Sequence, residues 1–295
     1  PGLVAIVNGT EQAVTLAVID GEVQAVAGGK VIFTVSINED TGKVTMNLTG
    51  NGSLKHPVAG NADENLLTPI EDINVKLTVT DGDGDVTSNE AKLQIQVSDD
   101  GPVVTAATGE KPSLFVDESA LVSGDVETGV QFTTNVDSYF AVDAGADGEG
   151  GRSYELLLDS AANEGLQAII DGQAYDVMLT LNEDGNRISG TAHGEEVFYV
   201  AVDAKGNVTL TLRNGVSLKH LDDTDPDDVL SLNGIGVKLT VTDNDGDSSS
   251  AEIGLNLSVY DDGPVVTVTG VASGMIVDES FAPDEPSHSM PDVGG

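Results

Sequence analysis

The stretch Leu77-Thr78-Val79-Thr80-Asp81-Gly82-Asp83-Gly84-Asp85 returns almost letter for letter as Leu239-Thr240-Val241-Thr242-Asp243-Asn244-Asp245-Gly246-Asp247, and this duplication constrains the fold more than any other feature. A strand and the acidic turn after it have been copied together. Ser53-Leu54-Lys55-His56 likewise returns as Ser217-Leu218-Lys219-His220, and Asp99-Asp100-Gly101-Pro102-Val103-Val104 as Asp261-Asp262-Gly263-Pro264-Val265-Val266. Val116-Asp117-Glu118-Ser119 returns as Val277-Asp278-Glu279-Ser280, and residues 2–9 are echoed by residues 165–172. A period near 162 residues is too long for a solenoid unit and suits tandem domains. It divides the chain into the later part of one β-sandwich module, either a split module or one cut at its start (1–102), a complete second module (103–264), and either the opening of a third module or a tail (265–295).

Within the modules apolar residues alternate with period two: Val14, Leu16 and Val18; Val31, Phe33 and Val35; Val44, Met46 and Leu48; Val75, Leu77 and Val79; Leu93, Ile95 and Val97. Strands with one apolar and one polar face belong to antiparallel sheets packed face to face. The fold expected is all-β: tandem antiparallel β-sandwich modules, immunoglobulin-like or cadherin-like, joined by short acidic linkers. The one helix candidate runs from about Ser160 to Ile170. The run from Asp222 to Asp228 reads as a solvated loop, as does the Gly-rich region holding Asp143, Asp147 and Glu149.

Three carboxylates on alternate residues repel one another unless a cation gathers them. Calcium takes six to eight hard oxygen ligands, and small residues between the acids let the backbone curl around it. Asp81, Asp83 and Asp85 form one such candidate loop, and Asp243, Asp245 and Asp247 the other. Glu90 and Glu252 are the nearest acids downstream, at position ten of each loop, so the pattern is not an EF-hand, which needs Glu at position twelve. The competing reading is a solvated hairpin tip, since Asp and Gly favour turns for other reasons. A bare turn needs one Asp rather than three in register twice, which favours calcium. At the junctions, Asp99 and Asp100 precede Asp117 and Glu118, and Asp261 and Asp262 precede Asp278 and Glu279. An ion held between such clusters would lock the interdomain angle; the alternative is an ordinary acidic linker.

Lys and Arg number 12 against 50 Asp and Glu, a formal net charge of −38. Nucleic acid is excluded as a partner, because a phosphate backbone demands a basic face. Bound divalent cations are the simplest relief for such self-repulsion. The 39% of hydrophobic residues and their clean alternation argue for folded domains rather than disorder. With no Cys, disulfides contribute nothing, and abundant Asp suits a secreted protein stapled by metal. No apolar run reaches the length of a membrane span, and Pro1 with the Gly294-Gly295 end is read as an excised internal segment.

The ordered set LTVTDxDGD, DDGPVV and VDES resembles the long repeats of bacterial repeats-in-toxin (RTX) adhesins and related giant proteins exported by type I secretion. The resemblance covers essentially the whole chain. It implies calcium-dependent β-sandwiches on the bacterial cell surface, set between an anchor and distal ligand-binding domains, in adhesion and biofilm formation. It also implies that the partners are neighbouring modules, with host or biofilm glycans or peptides bound through other domains. The glycine-rich nonapeptide repeats of that class and a C-terminal secretion signal are absent from this sequence.

No nucleophile elbow, zinc motif or phosphate loop is present, so an enzyme is not expected. His56 and His220, in their shared SLKH context, read as structural strand-end residues. The alternative to a spacer is a module that binds a sugar or peptide through calcium. Its aromatic residues would be Tyr139, Phe140, Tyr154, Tyr175, Phe198 and Tyr199. The alternation around Phe198 and Tyr199 favours core packing instead.

Overall fold

Alternating sequence becomes alternating burial along the strand Ile235–Asp243, where Val237, Leu239 and Val241 are fully buried. Burying each of these side chains contributes about 1.5–3 kcal/mol. A computed structural model describes residues 2–58, 60, 65–66, 70, 73–121, 129–160, 162, 164–222, 225, 228–263 and 269. Among them the chain is all-β, with two 3-10 turns and no α-helix, and no helix is long and apolar enough to cross a membrane.

In the second module a five-stranded sheet runs in the order Val130–Asn135, Asn207–Leu212, Glu195–Val202, Arg187–Ala192, Met178–Leu181. Two three-stranded sheets share its core. One places Ile235–Asp243 between Glu149–Leu158 and Ser248–Gly254; the other places Asn256–Tyr260 between Ser113–Asp117 and Val229–Leu232. Phe198, Val200, Leu210, Leu212, Leu239 and Leu257 belong to the one core cluster that results. Phe198 is buried as expected, whereas Tyr199, expected to pack in the core with it, is only half-buried on the other face of the strand, with the Arg187 guanidinium over its ring.

One pair departs from the expected antiparallel arrangement. Ser113–Asp117 runs parallel to Asn256–Tyr260, with Leu114 opposite Leu257 and Val116 opposite Val259. Period-two alternation specifies which face is buried and is blind to strand direction. The helix expected over residues 160–170 is also corrected. Gln167–Ile170 is a strand, paired with Gln173–Asp176, and it repeats the hairpin of Val4–Val7 and Thr10–Ala13.

The first module has its own core, including Ala5, Ala25, Ile32, Phe33 and Leu54. Its strands follow those of the second module from Gln167 onward. A four-stranded sheet (Thr15–Ile19, Glu22–Ala27, Lys30–Ile37, Val44–Leu48) stands where the second module has five strands. The hairpin of Asn74–Thr80 and Val86–Lys92 forms a two-stranded sheet by itself among the described residues. Leu77 and Val79, expected to face inward, are therefore 66% and 52% exposed. The pattern for burial is there, but the strand paired alongside Leu239 and Val241 in the second module, Glu149–Leu158, has no counterpart among the described residues of 1–102. Pro1–Asp262 nevertheless pack as one compact unit. The segment 265–295 lies outside the described residues except for Thr269.

Candidate metal centre

The two acidic turns are built alike. Asp81 Oδ1 accepts the backbone N–H groups of Gly84 at 3.0 Å and Asp85 at 2.9 Å; Asp243 Oδ1 accepts those of Gly246 at 2.9 Å and Asp247 at 2.8 Å. The fourth residue of each loop needs a positive φ, +101° at Gly84 and +111° at Gly246, which explains the invariant glycine of the two copies. In each turn the three carboxylates begin at Asp and point from alternate residues, yet their surroundings differ. Asp81, Asp83 and Asp85 are exposed and their oxygens lie within 4.8 Å of one another. Asp243, Asp245 and Asp247 are buried.

The cover over the second turn comes from both modules. Glu149 pairs with Asp243 in the sheet, and Asn244 Nδ2 donates to the carbonyls of Asp147 at 2.8 Å and Gly148 at 3.1 Å. From the first module, the backbone N–H of His56 reaches Asp245 Oδ2 at 3.4 Å, that of Gly60 donates to Asp247, and the Ser53 hydroxyl donates to Asp147. Asp99 adds a side chain only 2% exposed, with Oδ1 3.0 Å from His56 Nδ1. The result is a buried acidic knot beside a cleft of about 800 Å³.

Burial and mutual repulsion raise the affinity of this knot for protons. Burial, with help from Asp245, pushes Asp243 up to about 6. Burial likewise raises Asp99, Asp147 and Asp245, each also opposed by carboxylates of the same group. The exposed Asp81 behaves oppositely, held below the usual range by hydrogen bonds from Asp83 and from the backbone of the turn. Asp99 Oδ2, Asp243 Oδ2 and Asp245 Oδ1 are buried without a hydrogen-bond partner among the described residues. A desolvated anion without a donor is costly, and a cation is the natural complement.

A second cluster lies at the other pole of the complete module. Glu118 is 2% exposed, accepts the Leu218 N–H at 2.7 Å, and has Oε1 4.0 Å from His220 Nε2. Asp261 completes the group. Burial first, then neighbouring Asp261, Asp262 and Asp117, push Glu118 up to about 7.

The expected junction set is thus divided between two poles. Asp99 joins Asp147, Asp243 and Asp245, while Glu118 joins Asp261. Asp100 accepts the Ala146 N–H at 3.1 Å, and Asp117 is exposed, capping the 3-10 turn at Ser119. The parallel strand pair is the physical reason: Asp117 ends alongside Tyr260, so the VDES acids are carried to the end of the module that holds Asp261 and Asp262. Glu90 and Glu252 sit within strands, opposite Lys76 and Lys238. At ~3.3 Å per residue, four residues place Glu90 roughly 13 Å up the strand from Val86, outside the turn. Asp278 and Glu279 lie outside the described residues. Sequence reasoning assigned Asp147 to a loop and the two histidines to strand ends. The repetition of SLKH was the available signal for the histidines; Asp147 has no repeated counterpart in the chain.

The chain matches a domain family of unknown function (DUF5801) over residues 2–94 and 113–256, well over half its length, and it belongs to that family. No curated protein matches it.

Proposed function

We propose that this member of the family is a calcium-stabilised extender of a large bacterial surface adhesin, an extracellular spacer that holds ligand-binding domains away from the cell in adhesion and biofilm formation. The observation that carries the reading is the buried convergence of Asp147, Asp243 and Asp245 of the second module with Ser53, His56, Gly60 and Asp99 of the first. An all-oxygen donor set, with buried oxygens lacking hydrogen-bond partners, suits Ca²⁺. Asp147, Asp243 and Asp245 would hold the ion, and the ion would supply the positive charge that lets the knot close. Fastened in this way, consecutive modules act as a stiff rod. The exposed turn at Asp81, Asp83 and Asp85 is a weaker candidate, because its carboxylates already have water. The function is mechanical and calls for no catalytic group.

The test is thermal unfolding and solution scattering of the full chain, first in millimolar calcium and then in chelator. A large fall in melting temperature, with the scattering changing from a rigid to a flexible particle, is expected. If neither quantity moves, no ion fastens the buried knot and the reading is wrong.

A further inference from the structure

The histidines of the two SLKH copies are the part of the clusters that calcium does not account for. His56 and His220 have side chains only 4% and 5% exposed, and both stand against acids of the repeated DDGP element. His56 groups with Asp99 and Asp245, and His220 with Asp261 and Glu118. The His–Asp pair is therefore duplicated, while the third acid comes from the following module in one copy and from the same module in the other.

The tautomer of His56 is set by its neighbour. Its Nε2 lies 3.2 Å from the carbonyl oxygen of Val97, which can only accept, so Nε2 carries the proton. A neutral ring then turns the lone pair of Nδ1 toward Asp99 Oδ1 at 3.0 Å, acceptor against acceptor. Something positive must stand between them, either a second ring proton or a metal ion. A backbone carbonyl that fixes one ring nitrogen leaves the other free to bind a metal that the carboxylate also ligates. His220 supplies the second, independent observation. Both of its ring nitrogens are buried without a hydrogen-bond partner among the described residues, with Glu118 Oε1 and Asp228 Oδ2 each 4.0 Å away.

We propose that His56 and His220 are metal ligands, each joined by its repeat's Asp and one further carboxylate in a site for a borderline divalent transition ion of the Zn²⁺ class. Calcium and magnesium select oxygen, whereas imidazole beside carboxylate suits zinc and its neighbours. Donors about 2.1 Å from a tetrahedral zinc stand roughly 3.4 Å apart. The separations of 3.0 Å at His56 and 4.0 Å at His220 lie on either side of that value, so binding would open the first pair and close the second. Asp245, shared with the all-oxygen group, would bridge the two kinds of site through its two oxygens. This inference does not rest on the calcium reading, because it turns on the two histidines and a different ion, although Asp245 is common to both groups.

The experiment titrates the full chain with Zn²⁺ by calorimetry, and with Co²⁺ by visible absorption, in buffer kept at millimolar Ca²⁺. Two sites per chain are expected, with His56→Asn and His220→Asn each removing one. Loss of a direct ligand should weaken its site by more than about 100-fold, beyond the effect of changing an outer partner. Absence of Zn²⁺ binding, or binding indifferent to both substitutions, overturns the proposal and leaves the histidines as ion-paired strand-end residues. One site that responds to one histidine supports that ligand and overturns the other. Should a variant fail to fold, ring-nitrogen NMR of the wild-type chain decides: Zn²⁺ must shift Nδ1 of His56 and a ring nitrogen of His220, and unmoved resonances overturn the assignment. Calcium-dependent melting of the same variants is read separately, so the calcium and zinc readings fail independently.

Discussion

Two copies of one hairpin, nearly identical in sequence, meet opposite fates. In the first module Leu77 and Val79 are largely exposed and the acidic turn is in water. In the second, Leu239 and Val241 are fully buried and the turn closes into a cluster with the preceding module. The local build is shared, down to the glycine at positive φ and the Asp that accepts two backbone N–H groups. The paired strand Glu149–Leu158 and the contacts of Ser53, His56 and Gly60 make the difference. A turn thus becomes a charged core element only when a neighbour removes its water, because desolvation changes the cost of an unpaired carboxylate.

The sharpest way to break the comparison is Leu239→Ala against Leu77→Ala. Urea unfolding should show the first costing about 2–5 kcal/mol through lost burial and a residual cavity, and the second within about 0.5 kcal/mol of wild type. Equal costs would mean that the first hairpin is covered in solution.

Metal removal comes next. If calcium fills the proposed site, a thousandfold excess over its dissociation constant adds about 4 kcal/mol to the folded state. Chelator should remove most of this gain, and so should Asp243→Asn combined with Asp245→Asn. Asp81→Asn with Asp83→Asn should leave the calcium response of the melting temperature nearly intact.

In chelator, pH separates the turns further. The folded pKa of Asp243 is raised from 3.8 to about 6, so folding favours its protonated form. That contribution is complete below the unfolded value of 3.8 and is lost as pH rises through about 6. Denaturant titrations of the metal-free chain should show stability falling by on the order of 2 kcal/mol between pH 4 and 7. Asp243→Asn should flatten that slope, while Asp81→Asn should not.

The smallest effect concerns a cluster particular to the second module. Glu196 bonds Arg187 at 2.7 Å, Arg213 at 2.5 Å and Ser189 at 2.8 Å, whereas Val31 holds the matching strand position in the first module. Burial pushes the Glu196 carboxyl up, but these bonds outweigh it and hold the group below its usual 4.5. Its contribution is present above that value and is lost as pH falls through the lowered one. Glu196→Gln should cost about 1 kcal/mol at pH 7 and little in acid, where wild type has lost the same bonds.

Much of the architecture was legible in the chain. The period, the strands and the two turns follow from repetition and alternation, and the expectation of a cation came from three alternate carboxylates in each turn. The helix expected before Ile170 was avoidable, since residues 165–172 repeat a strand-forming opening. The pairing of Asp99 with Asp147 and Asp245 could not be read, because Asp147 has no second copy against which to test it. The split of the VDES acids from Asp99 depends on a parallel strand pair that alternation does not encode.

The sequence by itself determined local things: which residues extend, where the chain turns, and that each turn presents three carboxylates around a glycine. These depend on neighbours along the chain, and the repeat states them twice. Tertiary structure alone decided which of the two turns is buried, which acids share a pole, and that each repeated histidine faces them. Those outcomes depend on dielectric surroundings and on strand direction, properties of packing between segments distant in sequence, so identical letters acquire different chemistry.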